Sequence, residues 1–323
     1  MTRATLGIAI CTFRRASVHA AVASVAGQAV PGLAPPVILV ADNDDTAAAR
    51  EAILGGAGAA RGRLAYVHAP GRNVSLARNA ALRAARERGV THLAFLDDDE
   101  TAGEGWLDAL WARMEESGAQ AVLGPVDAVY DAQAPGWMRA LRPHDTRPAG
   151  RPGAPLRTGY GGNVLIHVAH PVFAGAEFDP AFGREGGEDT AFFAAAVARG
   201  AVLAYAPAAR AAEAVPPERA TLSWLLRRRL RAGQTHAQVL LAAPLRRPRA
   251  AEAALALGKL AVCAAAAAAL APAPARRNAW LLRGALHAGA LSVLAGRAAP
   301  GRGGGGPGSP AAGLRPALTE DAP

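Results

Sequence analysis

Short apolar runs alternate with amphipathic stretches along the first hundred residues of the chain. The runs are continuous and lack helical spacing, which predicts buried strands at residues 6–11, 37–41, 64–68 and 92–96. Helical spacing predicts helices at 14–28, 47–54 and 75–88, the last capped by Asn73 or Ser75. The alternation predicts an α/β fold with a mainly parallel central sheet flanked by helices, which binds ligands at the carboxyl ends of its strands.

The pattern is less regular after residue 105. It predicts helices at 106–117, 190–199 and 221–234, and strands at 122–130, 159–168 and 201–205. Residues 131–155 are rich in proline and glycine, which predicts a flexible loop or one that shapes an acceptor site. Residues 182–189 predict a glycine-rich acidic loop.

Two long alanine- and leucine-rich stretches follow, at 250–270 and 280–294. Each is near the length that spans a bilayer, but both have low hydropathy and contain basic residues. A membrane-associated hairpin and a soluble helical appendage therefore both remain open. We expect three parts: an α/β domain at 1–240, an alanine-rich helical region at 241–297, and a disordered tail at 298–323.

Composition gives a weak indication of anionic partners. The 323-residue chain has a formal charge of +9 and a pI near 10.7, which favours nucleotide phosphates, nucleic acid or an acidic membrane. Lys259 is the only lysine, so an arginine-rich genome explains part of this charge. Cys11 and Cys263 lie far apart without metal-ligand spacing, and the run at 6–11 is too short for a secretory signal. Both observations favour a reducing, cytoplasmic setting.

Three consecutive aspartates, Asp97, Asp98 and Asp99, follow the apolar run at 92–96. Adjacent carboxylates repel one another unless a cation or hydrogen-bond donors balance them. In extended backbone Asp97 and Asp99 face the same side, and oxygen ligands suit Mg²⁺ or Mn²⁺ together with substrate phosphates. We therefore expect a metal and substrate site here, the alternative being a solvated acidic turn that caps the next helix.

Two further residues predict nucleotide contacts. Asp42 ends the second predicted strand, where a carboxylate commonly binds ribose or base, although an Asx-turn also suits it. Arg78 lies in the first turns of the helix at 75–88, where a guanidinium and a helix N-terminus together suit a diphosphate. The alternative for Arg78 is a solvated position on an amphipathic helix.

Glu188 and Asp189 follow a glycine pair at the end of the acidic loop. Either carboxylate can act as a general base if it reaches a substrate hydroxyl, but capping the next helix suits Asp189 equally well. The predicted basic helix contains the arginine-rich run 227–231, which suits a diphosphate, anionic lipid head groups or simply water. Spacing alone leaves these alternatives open.

Nine motifs, in order between residues 5 and 236, resemble those of family 2 bacterial glycosyltransferases with the GT-A fold. The similarity is strongest to the branch that makes succinoglycan and related exopolysaccharides. The motifs are IAICTFRR, LVADND, GRNVSLARNAAL, LAFLDDDE followed by Trp106, GPVDAVY, APGWM, GYGGNVLI, FGREGGED and RRRLRAGQT. The last stands where processive synthases carry Gln-x-x-Arg-Trp, which is absent here. This difference favours addition of single sugars.

The resemblance implies roles for the matched residues. The residues that would contact the nucleotide sugar are Thr12, Asp42, Arg78, Asp97 and Asp98. Asp99 would bind a divalent cation, Mn²⁺ or Mg²⁺, and Asp189 would be the catalytic base. The residues that would line the acceptor side of the cleft are Gly161, Gly162, Asn163, Glu188, Arg228 and Arg231.

The reaction implied is an inverting transfer of a sugar, most simply a UDP-linked hexose, to an oligosaccharide or a polyprenyl-diphosphate-linked acceptor. We expect no nucleic-acid partner, and either a cytoplasmic protein or one in peripheral contact with the cytoplasmic face of the inner membrane. Two alternatives are a sugar nucleotidyltransferase and a non-catalytic basic protein that binds nucleic acid or membrane. A nucleotidyltransferase would carry an arginine-containing phosphate loop near its N-terminus, and this chain lacks one in the expected form. A non-catalytic basic protein would use the positive charge directly but would not explain the acidic residues at strand ends.

Overall fold

A computed structural model describes residues 4–148, 155–184, 186–242 and 247–296. In chain order its elements are β1 (Leu6–Thr12), α1 (Val18–Val25), β2 (Val37–Asp42), α2 (Arg50–Gly55), β3 (Leu64–His68), α3 (Val74–Glu87), β4 (His92–Asp97), β5 (Glu100–Ala102), α4 (Trp106–Ser117), β6 (Ala121–Leu123), β7 (Val126–Tyr130), α5 (Gly136–Leu141), β8 (Asn163–Ile166), α6 (Glu188–Ala198), β9 (Leu203–Tyr205), β10 (Ala211–Val215), α7 (Leu222–Ala242), α8 (Arg249–Ala269) and α9 (Pro274–Leu294). The tail predicted to be disordered, 298–323, lies outside the described residues.

The strands of the described residues form two sheets. The larger has seven strands in the order β3-β2-β1-β4-β8-β6-β9. The first four are parallel to one another, β8 is antiparallel to both of its neighbours, and β6 is parallel to β9. The smaller sheet has the order β5-β10-β7. The predicted α/β fold with a mainly parallel central sheet is confirmed.

Both faces of the larger sheet are buried, which is why its strands read as continuous apolar runs. Along β1, Leu6, Ile8 and Ile10 belong to the cluster on the face that α1 and α4 cover. Ala9 belongs to the cluster on the opposite face, which α3 and α6 cover. Successive side chains of a strand alternate between faces, so a strand covered on both sides must be apolar throughout. The helices leave the carboxyl ends of β1, β2 and β4 open.

The strand predicted at 122–130 is wrong as a single element. It is two strands, β6 and β7, which belong to different sheets. Pro125 separates them because it has no N–H to donate to a strand ladder. The Asn163 side chain then holds the bend, since its Nδ2 donates to the carbonyl of Pro125 at 2.9 Å and to that of Ala209 at 2.8 Å.

Other boundaries differ in ways that affect the site. The helix predicted at 190–199 begins earlier, at Glu188, so Glu188 and Asp189 occupy the first turn of α6. The loop predicted at 131–155 contains the short helix α5, and the short strands β5 and β10 are not predicted. The helix predicted at 14–28 is confined to α1, which leaves residues 13–17 as a loop beside β1.

The last three helices, α7, α8 and α9, form a unit that we call the helical unit. α9 lies between the other two and packs against both. Leu225 of α7 and Leu282 of α9 form a small apolar cluster with Met138 of α5, which joins the helical unit to the sheet domain. Among the described helices, only α8 is long and apolar enough to cross a bilayer, a criterion that buried helices of soluble proteins also meet. The domain division at residue 240 stays a prediction.

Candidate active site

The open ends of β1 and β4 face a cleft of about 860 Å³. Its walls come from the loop after β1, the aspartates after β4, the turn that begins α6, and α7. The ionisable side chains that line it are those of Cys11, Arg15, Arg78, Asp97, Asp98, Asp99, Arg184, Glu188, Asp189, Glu213, Arg219, Arg228, Arg231 and His236. Carboxylates and guanidinium groups therefore share one cavity, which suits a substrate that carries charge.

The three aspartates after β4 point to different partners. Asp97 Oδ1 accepts a hydrogen bond from Arg78 Nη2 at 3.2 Å. Asp98 is buried and accepts from the Thr12 hydroxyl at 2.7 Å. Asp98 and Asp99 both pair with one guanidinium, that of Arg15. Residues 98 and 99 form a turn rather than continuing the strand, so Asp97 and Asp99 are not aligned as in extended backbone, although both line the cleft.

Arg78 is buried, so the alternative of a solvated position on an amphipathic helix is wrong. Its guanidinium donates to Glu188 and Asp97 and lies 5.5 Å from the centre of the Phe178 ring. Burial acts to lower the pKa of Arg78, but the charges of Glu188 and Asp97 outweigh it and raise the pKa above its ordinary value. A permanently charged arginine thus links the end of β4 to the start of α6.

The structure separates the two carboxylates that begin α6. Glu188 is 5% exposed and is paired with Arg78. Burial raises the pKa of Glu188, and the Arg78 charge opposes that rise. Asp189 is less buried and has no ion pair among the described residues, but its Oδ2 accepts from the Gly161 N–H at 3.1 Å. Its Oδ1 accepts from the N–H of Thr190 at 2.6 Å, a local contact that orients the carboxylate at the helix start. Asp189 is therefore the better candidate for a proton acceptor.

Asp42 lies beside the cleft rather than in its wall. It is 1% exposed, and its two oxygens accept hydrogen bonds from the Tyr66 hydroxyl at 2.7 Å and from the N–H of Asp44 at 3.0 Å. The next residue, Asn43, lines the cleft, as does Thr12 on the neighbouring strand. Asp42 thus ends the strand as an Asx-type turn and supports the residues that face the cavity.

Gly161, Gly162 and Asn163 lie behind the cleft lining, although the sequence places them in its wall. The Gly161 backbone rests directly against the Arg78 guanidinium, with no room for a side chain. Asn163 is completely buried, and its Oδ1 accepts from the Trp106 indole N–H at 2.7 Å. These residues shape the site from beneath, because they allow Arg78 and Asp189 to approach the end of the sheet.

α7 forms the wall opposite the aspartates. The predicted residues Arg228 and Arg231 both line the cleft from this helix. Trp224 lies beside them, with the guanidinium carbons of Arg219 and Arg228 at 5.8 and 5.3 Å from its ring centre. This wall is strongly basic and includes an aromatic ring, which suits a large anionic molecule.

Several cleft residues are not identified by the sequence. Arg15 is the last residue of the matched motif IAICTFRR, but neither its spacing nor the resemblance assigns it a role. Glu213 and Arg219 belong to the segment around β10, which the sequence does not predict as a strand. His236 lies near the end of α7, beyond the arginine-rich run. These residues become neighbours only through the tertiary fold, so local spacing carries no signal for them.

The side chains of the cleft fit a divalent cation that takes some of its ligands from the protein and the rest from a substrate. Within the described residues no three His, Cys, Asp or Glu side chains form a ready-made metal site. Asp99 offers a carboxylate that is 25% exposed, and hard cations such as Mg²⁺ and Mn²⁺ commonly bind one or two carboxylates plus substrate phosphates. Burial raises the pKa of the neighbouring Glu100 well above its ordinary value, and the negative charge of Asp97 raises it further. The raised pKa favours the neutral form of Glu100, so the carboxylates that line the cleft itself, Asp97, Asp98 and Asp99, are the ones available to a cation.

Comparison with known proteins agrees with this geometry. Residues 8–174 match the family model "Glycosyl transferase family 2". A curated relative, the succinoglycan biosynthesis protein ExoM of Rhizobium meliloti (strain 1021), is 40% identical over 291 residues. That alignment covers 90% of this chain and 93% of the relative.

A solved structure shares the fold. The crystal structure of GalNAc-T7 with UDP, GalNAc and Mn²⁺ superposes with a TM-score of 0.51 at 14% identity. The match covers 75% of this chain and 48% of that one, so this chain spans about half the length of that protein. The likeness supports a GT-A fold, and the matches in sequence go further: the chain belongs to glycosyl transferase family 2.

Proposed function

We propose that this glycosyltransferase moves a hexose from a UDP-linked donor to a lipid-linked oligosaccharide during exopolysaccharide synthesis, with inversion at the anomeric carbon. The observation that carries the proposal is that Thr12, Asp98, Asp99 and Asp189 line one cleft. The curated relative ExoM supports the choice of pathway, and the fold relative solved with UDP, GalNAc and Mn²⁺ supports the choice of donor and cation.

The donor side of the proposed site is the end of β1 and the turn after β4. Thr12 and Asp98, joined by a hydrogen bond, would meet the nucleoside. Asp99 would hold Mn²⁺ or Mg²⁺, which when bound offsets the charge that develops on the departing diphosphate. Arg15 and Arg219, which both contact Asp99, would add further positive charge there.

The proposed base is Asp189. Its carboxylate would take the proton of an acceptor hydroxyl while that oxygen attacks the anomeric carbon and the diphosphate leaves with the bonding electrons. The Gly161 N–H and the first turn of α6 fix the direction of the carboxylate. Arg78 fixes its neighbour Glu188, so only one carboxylate of this pair is left free to accept a proton. A single displacement of this kind inverts the anomeric centre.

The acceptor side would be the basic wall of α7. Arg228 and Arg231 suit the diphosphate of a polyprenyl carrier, whereas Trp224 suits contact with a sugar ring. The lipid of such a carrier lies in a membrane, so we propose a peripheral contact between α8 and the cytoplasmic face of the inner membrane. Leu257 and Val262 of α8 are 56% and 60% exposed, and the basic residues Arg247 and Arg249 lie at the N-terminal end of the helix.

Two variants test the proposal through different measurements. Asp189→Asn should lower the Mn²⁺-dependent release of UDP from the donor by about 10²–10⁴-fold, because the amide cannot accept the proton. Its affinity for UDP with Mn²⁺, measured by calorimetry, should stay close to that of the unaltered protein. Asp99→Asn should instead abolish the effect of Mn²⁺ on UDP binding. Undiminished turnover by the Asp189 variant would exclude this residue as the base.

A further inference from the structure

Arg15 joins the two carboxylates that the proposed function assigns to nucleotide and cation. Its Nη1 donates to Asp98 Oδ1 at 2.8 Å and to Asp99 Oδ2 at 2.6 Å. Asp98 is almost completely buried and Asp99 is 25% exposed, whereas 43% of the Arg15 side chain is exposed. One partly exposed guanidinium therefore lies between two more deeply buried carboxylates.

The loop after β1 directs Arg15 to this position. Its neighbour Arg14 has a left-handed backbone conformation, with φ of 54°. Arg14 pairs with Asp44 through two hydrogen bonds, of 2.8 and 2.9 Å, on the other side of the loop. The two adjacent arginines therefore point to different carboxylates, and only Arg15 reaches the aspartate turn. The loop turns sharply at Arg14, and Arg15 follows directly after the turn.

A guanidinium and a divalent cation cannot both occupy the same oxygen of Asp99. Arg15 contacts Oδ2 of that carboxylate, and Arg219 lies 3.5 Å from the same atom. The same Arg219 nitrogen is held more closely by Glu213, at 2.8 Å, so its contact with Asp99 is the weaker of the two. Arg15 has no carboxylate partner other than Asp98 and Asp99 in the part of the chain that the structure describes.

We infer that Arg15 occupies the place of the cation in the donor-free protein and makes cation binding depend on the donor. This inference rests on the proposed function, since it concerns the same carboxylates. A nucleoside diphosphate offers the Arg15 guanidinium a new anionic partner and offers the cation further oxygen ligands. When Arg15 turns to the diphosphate, Asp99 is freed for the cation. Arg15 is thus a positioning residue that couples the two ligands.

The coupling has a thermodynamic signature. A group that competes with the cation but favours the diphosphate makes each ligand raise the affinity for the other by the same factor. Without the competitor, the cation should bind the donor-free protein more tightly and UDP should add less. The opposite change is expected if Arg15 merely holds the loop in place, since loosening the site would weaken both ligands.

The test measures Mn²⁺ binding by electron paramagnetic resonance, with and without saturating UDP, in the full-length protein. Arg15→Gln should lower the dissociation constant for Mn²⁺ alone by about tenfold, which corresponds to about 1.4 kcal/mol, and should reduce the factor by which UDP tightens Mn²⁺ binding. Arg14→Gln is the matched control, because it removes the adjacent arginine, which is 56% exposed and whose partner is Asp44. It should leave both values unchanged. Arg15→Lys, which keeps the charge, should fall between the two.

The possible results separate this inference from the proposed function. If UDP promotes Mn²⁺ binding equally in Arg15→Gln and the unaltered protein, the role of Arg15 is refuted while the metal site stands. If Mn²⁺ binds none of the proteins, with or without UDP, the proposed metal dependence fails and the inference falls with it. Weaker Mn²⁺ binding in Arg15→Gln would also overturn the inference, provided that its melting temperature matches that of the unaltered protein.

Discussion

Arg78 is the side chain on which the acidic floor of the cleft depends most. It is 5% exposed, pairs with Glu188 and Asp97, and rests on the Phe178 ring. A buried charge is costly unless it is paired, so removal of one partner leaves the other without compensation. Because Glu188 adjoins Asp189, the same pair sets the position of the proposed base.

We expect Arg78→Ala to lower the free energy of unfolding by about 3–5 kcal/mol, since it leaves Glu188 buried and unpaired. Urea denaturation monitored by circular dichroism measures the change. Arg83→Ala is the control on the same helix, because Arg83 and its partner Glu177 are both more than half exposed. That variant should change stability by less than about 1 kcal/mol. Equal losses in the two variants would contradict the structural role given to Arg78.

Two helices of the helical unit meet backbone to backbone. A side chain on Gly233 of α7 would overlap the carbonyl of Leu286, and one on Gly289 of α9 would overlap that of Leu230. Both glycines therefore allow the backbones of α7 and α9 to approach each other closely, and neither forms a turn. The contact holds α7, and with it the basic wall of the cleft, at a fixed distance from α9.

Replacement of Gly289 by alanine should lower the free energy of unfolding by about 1–3 kcal/mol, because the helices must separate to admit the methyl group. Gly258 of α8 provides a matched control, since nothing lies within 4 Å of the place where its Cβ would be. Gly258→Ala should stabilise the protein by up to about 1 kcal/mol, as alanine favours the helix. Thermal denaturation of the two variants measures these opposite shifts, and a stabilising Gly289→Ala would show that the helices do not touch as described.

The sequence predicts elements well where one local pattern governs them. The strand at 64–68 and the helix at 106–117 have the observed limits of β3 and α4, because each is bounded by a clear change in polarity. β5 and β10 are short and pair with each other across a distance of about a hundred residues, so no local period marks them. The same limit applies to the site. The aspartate turn is recognisable from its residues, whereas the contact of Arg15 with that turn is a product of the fold.

At the scale of the whole molecule, α8 carries several apolar side chains that nothing in the described part of the chain covers. Leu255, Leu257 and Val262 are all at least 40% exposed. A single positive charge, Lys259, lies within this stretch, and the whole chain is strongly basic, with a formal charge of +9. Exposed apolar side chains and positive charge together favour the surface of an anionic bilayer.

We expect the full-length protein to sediment with vesicles that contain phosphatidylglycerol, and to bind less as salt increases because the charges are then screened. Leu257→Glu should reduce the bound fraction several-fold, since it replaces an exposed apolar side chain of α8 with a negative charge. Val202→Glu changes a residue of similar exposure, 55%, just before β9 and should have little effect. If both variants bind as the unaltered protein does, the membrane contact lies elsewhere or does not exist.

α7 is both a wall of the cleft and a part of the helical unit, and this limits how the protein can be engineered. The match to the family model ends at residue 174, before Asp189 and before the whole of α7. A chimera that borrows only residues 8–174 from a relative would take the aspartate turn from that relative but keep Asp189 and α7 of this chain. Because α7 is the proposed acceptor wall and α9 packs against both α7 and α8, we expect that transfer of an acceptor preference requires all three helices.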